Sequence, residues 1–336
     1  MLTRLARTVL VVLIGAALFA GAPVSAQDSS ITDLGDLGGG ASVATSINKR
    51  GQVAGVSLRS PTTQGGFFWQ DGVMTDLGGL GGTQTIAYAI NDRGQVVGGS
   101  NRTGDTSAGA FMWDDGVMTD LGGSNSIALG INEHGEVVGV VYADDLLCSS
   151  AFVWRRGVMT LLPRLGGNHA AAAGINDKGV IVGQSTTDDG ELRPVMWEKG
   201  TITDLGTLGG NNGVAYAVSK HGVACGFSSL EPGEIRATIF EDGAIVNLGT
   251  LGGTSSQCFL GSTKRGQFVG TSTTEGDAEH HAFITVDGVM TDLNPLIPAD
   301  SGWLLEYAYG INDRDQIAGG GHRDGVAPIR AYLLSR

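Results

Sequence analysis

"AYAINDRGQVVGGSNRTGDTSAGAFMWDDGVMTDLGG", residues 87–123, holds two turn signals, each set between short apolar runs. At Asn91-Asp92-Arg93-Gly94 an Asn that can bond its own backbone opens a turn, and Gly94 takes a positive φ without steric cost. At Asp115-Gly116 a primed turn matches the twist of the strands on either side, from Ala110 to Trp113 and from Val117 to Leu121. "AYAIN", "GQVVG", "AFMW" and "VMTDL" therefore read as four short antiparallel strands, and no stretch between them has room for a crossover helix.

The same words return along the chain: "GGFFWQDGVMTDLGG" from Gly65, "SAFVWRRGVMTLL" from Ser150, "PVMWEKGTITDLG" from Pro194 and "HAFITVDGVMTDL" from His281. The Asn position of the first turn recurs as Asn48, Asn91, Asn132, Asn176, Ser219, Thr263 and Asn312, a period of about 44 residues in seven copies. Its Gly recurs as Gly51, Gly94, Gly135, Gly179, Gly222 and Gly266, then as Asp315, which tolerates that backbone better than most residues.

Four strands repeated seven times predict an all-β fold, a seven-bladed β-propeller of four-stranded antiparallel blades. The chain ends predict its closure. The last copy stops after a third strand in "IRAYLLSR", while "ITDLGDLGG" from Ile31 is a fourth strand with no three before it, so the N-terminal strand is expected to join the last blade. Two residues before the Asn position stand Ser46, Ala89, Gly130, Gly174, Ala217, Gly261 and Gly310, all small, as strands converging on an axis require. Ile47, Ile90, Ile131, Ile175 and Ile311 are expected to pack between blades, and Trp69, Trp113, Trp154, Trp197 and Phe240 to fill the core of the third strand.

The phrases "INDRGQVVGGS" and "GAFMWDDGVMTDLGG", with "HAF" at His281 to Phe283, resemble the HAF repeats of probable extracellular bacterial proteins. The resemblance spans essentially all of residues 27–336 and implies an exported bacterial repeat protein; it brings no catalytic or binding residues with it. The third copy departs from the pattern with a shortened "LGGSNS" and Leu161 in place of Asp, and the seventh with "NPLIPADSGW".

Residues 1–26 read as a signal peptide: Arg4 and Arg7, an apolar run from Leu10 to Ala20, then Val24-Ser25-Ala26 before cleavage. A secreted or periplasmic protein of one domain, residues 27–336, is expected, monomeric and without a membrane span. The formal charge is -13, and -15 once Arg4 and Arg7 are removed, which argues against nucleic acid as a partner. Cys148, Cys225 and Cys258 allow one disulfide and one free thiol, or no disulfide; the pairing is open.

A search for chemistry finds no nucleophile elbow, metalloprotease helix or EF-hand loop. The Gly-rich loops such as "LGGLGG" lack the helix and Lys of a phosphate cradle and read as links between blades. Glu275, Asp277, Glu279, His280 and His281 gather metal-capable groups, yet adjacent His residues in a strand point opposite ways, so a solvated loop is the expectation and neither metal nor cofactor is called for. Asp33, Asp76, Asp120, Asp204 and Asp292 are spread over separate copies and are expected to bond turn amides.

One pattern stands apart. Arg50, Arg93, His134, Lys178, His221, Arg265 and Arg314 each precede the turn Gly position, and they are read either as an anion-attracting or partner-contacting ring or as an exposed position shared by descent. The varied loops between second and third strands, such as "YADDLLCSS" and "TTEGDAEHH", lie on the opposite face and suit recognition. The expected role is noncatalytic binding of an extracellular glycan, protein or other ligand. The alternatives are a propeller hydrolase or lyase with an axial site, and a structural envelope protein.

Overall fold

A computed structural model of the protein describes residues 29–336 apart from 145, 232 and 264, so the expected signal peptide, residues 1–26, lies outside the described residues. Among the described residues the elements are strands, with short 3-10 turns at Glu275–Asp277 and Asn294–Leu296. In the second repeat, Gly81–Ile90, Val96–Arg102, Ala108–Asp114 and Val117–Asp120 pair antiparallel in chain order. The same meander recurs in the first repeat and in the third to sixth. The last repeat supplies Trp303–Ile311, Ile317–Arg323 and Val326–Ser335, and Ser30–Asp33 pairs antiparallel along the free edge of Val326–Ser335, with Ser30 opposite Ser335 and Asp33 opposite Tyr332.

Both turn readings hold at the backbone. Gly94 has φ +88°, the other Gly positions are likewise positive, and Asp315 takes +61°. In the second hairpin Asp115 and Gly116 have φ 44° and 87°, the paired positive values of a primed turn. A further glycine, at the end of "GQVVG", has a reason the sequence reading lacks. A Cβ on Gly98 would lie 2.0 Å from the Ile86 carbonyl oxygen and 2.8 Å from the ring of Phe111, its cross-strand partner. Its bare backbone lets Phe111, wholly buried, pack flat onto the sheet. Trp69, Trp113, Trp197 and Phe240 are buried as expected, and Trp154 is half-buried against the same core.

The Asn position does more than open a turn. Asn91 is buried, its Oδ1 accepts from the amides of Arg93 and Gln95 at 3.1 and 3.0 Å, and its Nδ2 donates to the carbonyl of Asn132, 3.1 Å away in the next repeat. Asn48 reaches Asn91 in the same way, Asn132 reaches Asn176, Asn176 reaches Ser219, and Asn312 reaches back to Asn48 at 2.9 Å. A belt of side-chain amides thus stitches one sheet to the next. Ser219 accepts from His221 and Val223, keeping the turn without the stitch. Asn91→Ala leaves two amides and one carbonyl short of partners, and a loss of about 3 kcal/mol is expected. Asn91→Ser retains the acceptor and should lose about half as much; equal midpoints in denaturant unfolding would show that the belt contributes nothing.

The recurring Asp of the fourth strand bonds the amide two residues on, as in Asp76 with Gly78 and Asp120 with Gly122, both at 2.8 Å. Each also holds a basic side chain: Arg59 and Arg102, from second strands, on Asp76 and Asp120, and Arg193 and His281, from third strands, on Asp204 and Asp292. Asp33, in the N-terminal strand, is held 3.3 Å from Arg330 of the last strand, so it occupies the same structural place as the other four. Cys225 and Cys258 form a disulfide between the second strand of the fifth repeat and the first strand of the sixth, both sulfurs fully buried, and Cys148 is free.

Candidate functional site

The first strand of every repeat carries a register shift at its small residue, just before it in six repeats and spanning Gly261 in the sixth. In the second repeat the pairing steps from Ala87 to Ala89, leaving Tyr88 as the bulged residue. A bulge breaks the two-residue alternation, so consecutive side chains turn to the same side of the strand. Two cavities result. The small residues Ser46, Ala89, Gly130, Gly174, Ala217, Gly261 and Gly310 all line one of about 190 Å³. A Cβ on Gly174 would meet the Tyr216 carbonyl oxygen at 2.7 Å, and one on Gly310 would meet Ser46 Cα at 3.2 Å, so the first strands approach too closely there for anything larger.

The bulged residues line the second cavity, about 420 Å³, which shares Leu129 and Ala173 with the first. Thr45, Tyr88, Leu129, Ala173, Tyr216, Phe259 and Tyr309 each come from a different repeat, and Val43, Val56 and Ile86 complete the wall. The cup lies toward the face of the varied loops, since those first-strand residues precede the small ones and the Asn turns follow them. Its lining has no carboxylate, imidazole or amine. The Thr45 hydroxyl is spent on the carbonyls of Ala54 and Ala87. Burial raises the phenols of Tyr88 and Tyr216 and pushes Tyr309 up to about 12, so all three stay protonated at neutral pH. Among the described residues no hydrogen bond engages their hydroxyls, nor that of Tyr307 beside them.

The sequence reading missed this cup. Its signal is the Tyr shared by "AYAIN", "AYAVS" and "AYGIN", one residue before the small position.

The opposite end is charged. A cavity of about 210 Å³ is lined by the residue after the Asn position, including Lys49, Glu133, Asp177, Lys220 and Asp313. Here Asp92, Glu133 and Asp177 each accept a backbone amide from the repeat before: Lys49 donates to Asp92, Asp92 to Glu133 and Glu133 to Asp177, at 2.8 to 3.1 Å. Burial raises the Glu133 carboxyl, with Asp92 and Asp177 adding to the effect, while the hydrogen bond to Asp92 raises Lys49.

Arg50, Arg93, His134, Lys178, His221, Arg265 and Arg314 are all exposed, one residue further out than this charged lining. Arg265 pairs with Asp315 of the next repeat. Arg50 and Arg93 lie sideways over the following turns, close to Gly94 and Gly135, and Lys178 and His221 line a cleft of about 670 Å³ together with Glu198, Glu241 and Asp242. Carboxylates therefore stand beside several of these cations, and the residues that border the cavity are those after the Asn position.

The metal-capable cluster disperses. Asp277 accepts from Thr254 and Thr273, His280 stacks on Tyr307 with ring centroids 5.6 Å apart, and His281 turns to Asp292 and Glu279 at 2.7 and 3.3 Å. Burial alone lowers the His281 imidazole, but bonds and charge from Asp292 and Glu279 outweigh it and raise the pKa. Among the described residues no group of three or more His, Cys, Asp or Glu is placed to hold a metal ion. No helix among them is long and apolar enough to cross a membrane.

No family model and no curated protein matches the chain. Solved structures do. The β-propeller domain of the Trilobed protease from Pyrococcus furiosus superposes with a TM-score of 0.57 at 12% identity, over 88% of this chain and 95% of that one. A puromycin-hydrolyzing peptidase from Mycobacterium tuberculosis gives 0.58 at 12% identity, over 93% and 53%. The acylaminoacyl peptidase of Pyrococcus horikoshii gives 0.56 at 12% identity, over 87% and 51%. The chain spans about half the length of these two peptidases. At such identity the likeness concerns fold alone, and the fold of this chain is all-β and β-propeller-like.

Proposed function

We propose that the chain is an exported, secreted or periplasmic, seven-bladed β-propeller of the HAF-repeat type, closed by its N-terminal strand, and that it binds an extracellular ligand without transforming it. The observation that carries the binding role is the cup: one residue from every repeat meets in a largely apolar cavity, and among the described residues no hydrogen bond engages the hydroxyls of its three tyrosines. Such a lining can hold and orient a ligand, and it offers no acid, base or nucleophile of ordinary reactivity. Closure is supported by the pairing of Ser30–Asp33 with the last strand, by the Asp33 contact with Arg330 and by the bond from Asn312 to Asn48. Export is supported by the residue pattern of 1–26 and by a buried disulfide, which persists in oxidising compartments.

A second reading, a propeller hydrolase or lyase, draws on the charged cavity with Lys49 and Glu133. Glu133 and Asp177 there already accept backbone amides, which favours a structural part for them. The exposed cations from Arg50 to Arg314 remain a candidate surface for an anionic partner, secondary to the cup.

The experiment uses N-phenyl-1-naphthylamine, an uncharged fluorescent probe, titrated into the mature chain. Saturation at one site is expected, with binding abolished in Leu129→Arg, which sets a cation in the cup, and unchanged in the triple variant Arg50→Ser, Arg93→Ser, Arg265→Ser. A probe that binds Leu129→Arg as well as wild type rules the cup out.

A further inference from the structure

The cup is one part of a longer feature. Phe227, Tyr216, Phe259, Tyr309, Tyr307 and His280 form a continuous row of rings across the fifth to seventh repeats, with successive centroids 4.4 to 6.4 Å apart. Every ring in the row is partly exposed. Tyr216, Phe259 and Tyr309 lie in the cup, and Tyr307 and His280 carry the row out of it. Six neighbouring rings, each open to solvent in part, together make one aromatic surface across three repeats.

We propose that this row is a binding track for a neutral oligosaccharide, with one end of the sugar chain seated in the cup; the inference rests on the binding role proposed for the cup and names its ligand class. A pyranose ring presents a face of C–H groups that suits the negative face of an aromatic ring, and its hydroxyls are partners for phenol O–H groups. The row carries such contacts from the cup out to His280, so a longer sugar chain can meet more rings than a short one.

The alternatives fit less well. A charged ligand would find no counter-charge in the cup, and a carboxylated or sulfated glycan would meet a net formal charge of -15 (-13 less Arg4 and Arg7). An onium ion needs ring faces converging across a gap, whereas Phe259 and Tyr309 pack against each other at 4.4 Å. An apolar tail would leave the hydroxyls of Tyr88, Tyr216 and Tyr309 unpaired.

The test is calorimetric titration of the mature chain with monosaccharide-to-hexasaccharide ladders of the cellulose, xylan, mannan and chitin types. At least one ladder should bind, with affinity rising with chain length until the row is filled. Tyr309→Ala should weaken all lengths by about tenfold or more. Tyr307→Ala and, separately, His280→Ala should weaken the hexasaccharide about tenfold and leave the disaccharide unchanged. These last two rings lie outside the cup, and unaltered melting curves would show that each variant is folded.

The proposal is overturned if no ladder binds, if affinity is independent of length, or if neither Tyr307→Ala nor His280→Ala affects the hexasaccharide. Should N-phenyl-1-naphthylamine still bind in the cup while no sugar does, the track fails and the cup stands. Loss of both ends both readings.

Discussion

Deletion of residues 27–38 is expected to lower the melting temperature by roughly 10 °C or more and to drive aggregation. The segment contributes Ser30–Asp33, four cross-strand pairs along Val326–Ser335, and Leu34, whose side chain is buried in the core shared by the first and last repeats. Losing a buried Leu costs about 2–5 kcal/mol before the ladder is counted. At this chain length each kcal/mol is worth roughly 2 °C or slightly more, which sets the size of the shift. The aggregation has a separate cause: the exposed edge of Val326–Ser335 would present free N–H and C=O groups to a second molecule. Calorimetry and size-exclusion chromatography read the two effects independently. A deletion variant as stable and as monodisperse as residues 27–336 would remove the case for closure by the N-terminal strand.

The double variant Cys225→Ala, Cys258→Ala should be destabilised by about 4 kcal/mol, since the bond closes a loop of 33 residues and both sulfurs are buried between two sheets. Dithiothreitol should lower the midpoint of the wild type by a similar amount and leave the double variant unmoved. Cys148→Ala should be close to neutral, and thiol titration of the unfolded oxidised protein should count one free group. Two or three titratable thiols in protein freshly isolated from an oxidising compartment, or a double variant as stable as wild type, would mean that the bridge is not part of the native state.

Local chemistry was the legible part of the sequence. Gly94 and Gly116 announce their turns because positive φ is a property of one residue and its neighbours, and the small residues from Ser46 to Gly310 announce close approach because they recur at one position. The cup was hidden by the bulge at Tyr88 and its equivalents: a register shift belongs to two strands at once and leaves no mark in a pattern of alternating polarity. The amide belt was hidden for a similar reason, because Asn91 satisfies a turn with one atom and a distant carbonyl with another, and only the first is local. Arg59 and Asp76 stand 17 residues apart on the second and fourth strands of one sheet, each paired to the third, so their contact follows from assembly of the sheet and not from spacing. The basic positions were visible, but their neighbours were not: Asp315, Glu241 and Asp242 stand beside Arg265, Lys178 and His221 only once the sheets are assembled.

The amide belt and the disulfide share one geography. Side-chain amides join sheets from Asn312 through Asn48, Asn91 and Asn132 to Asn176, but Ser219 and Thr263 are too short for the stitch, and among the described residues neither reaches the next repeat's carbonyl. The bridge from Cys225 to Cys258 spans the fifth and sixth repeats, where the first of these lapses falls. Most seams of the molecule are held by bonds that form in any aqueous compartment, and this one is held by a bond that reducing surroundings undo. A chain retained among cytosolic thiols would lack that lock, leaving the seam between those two repeats without either amide or bridge, and passage into an oxidising space would complete the joint.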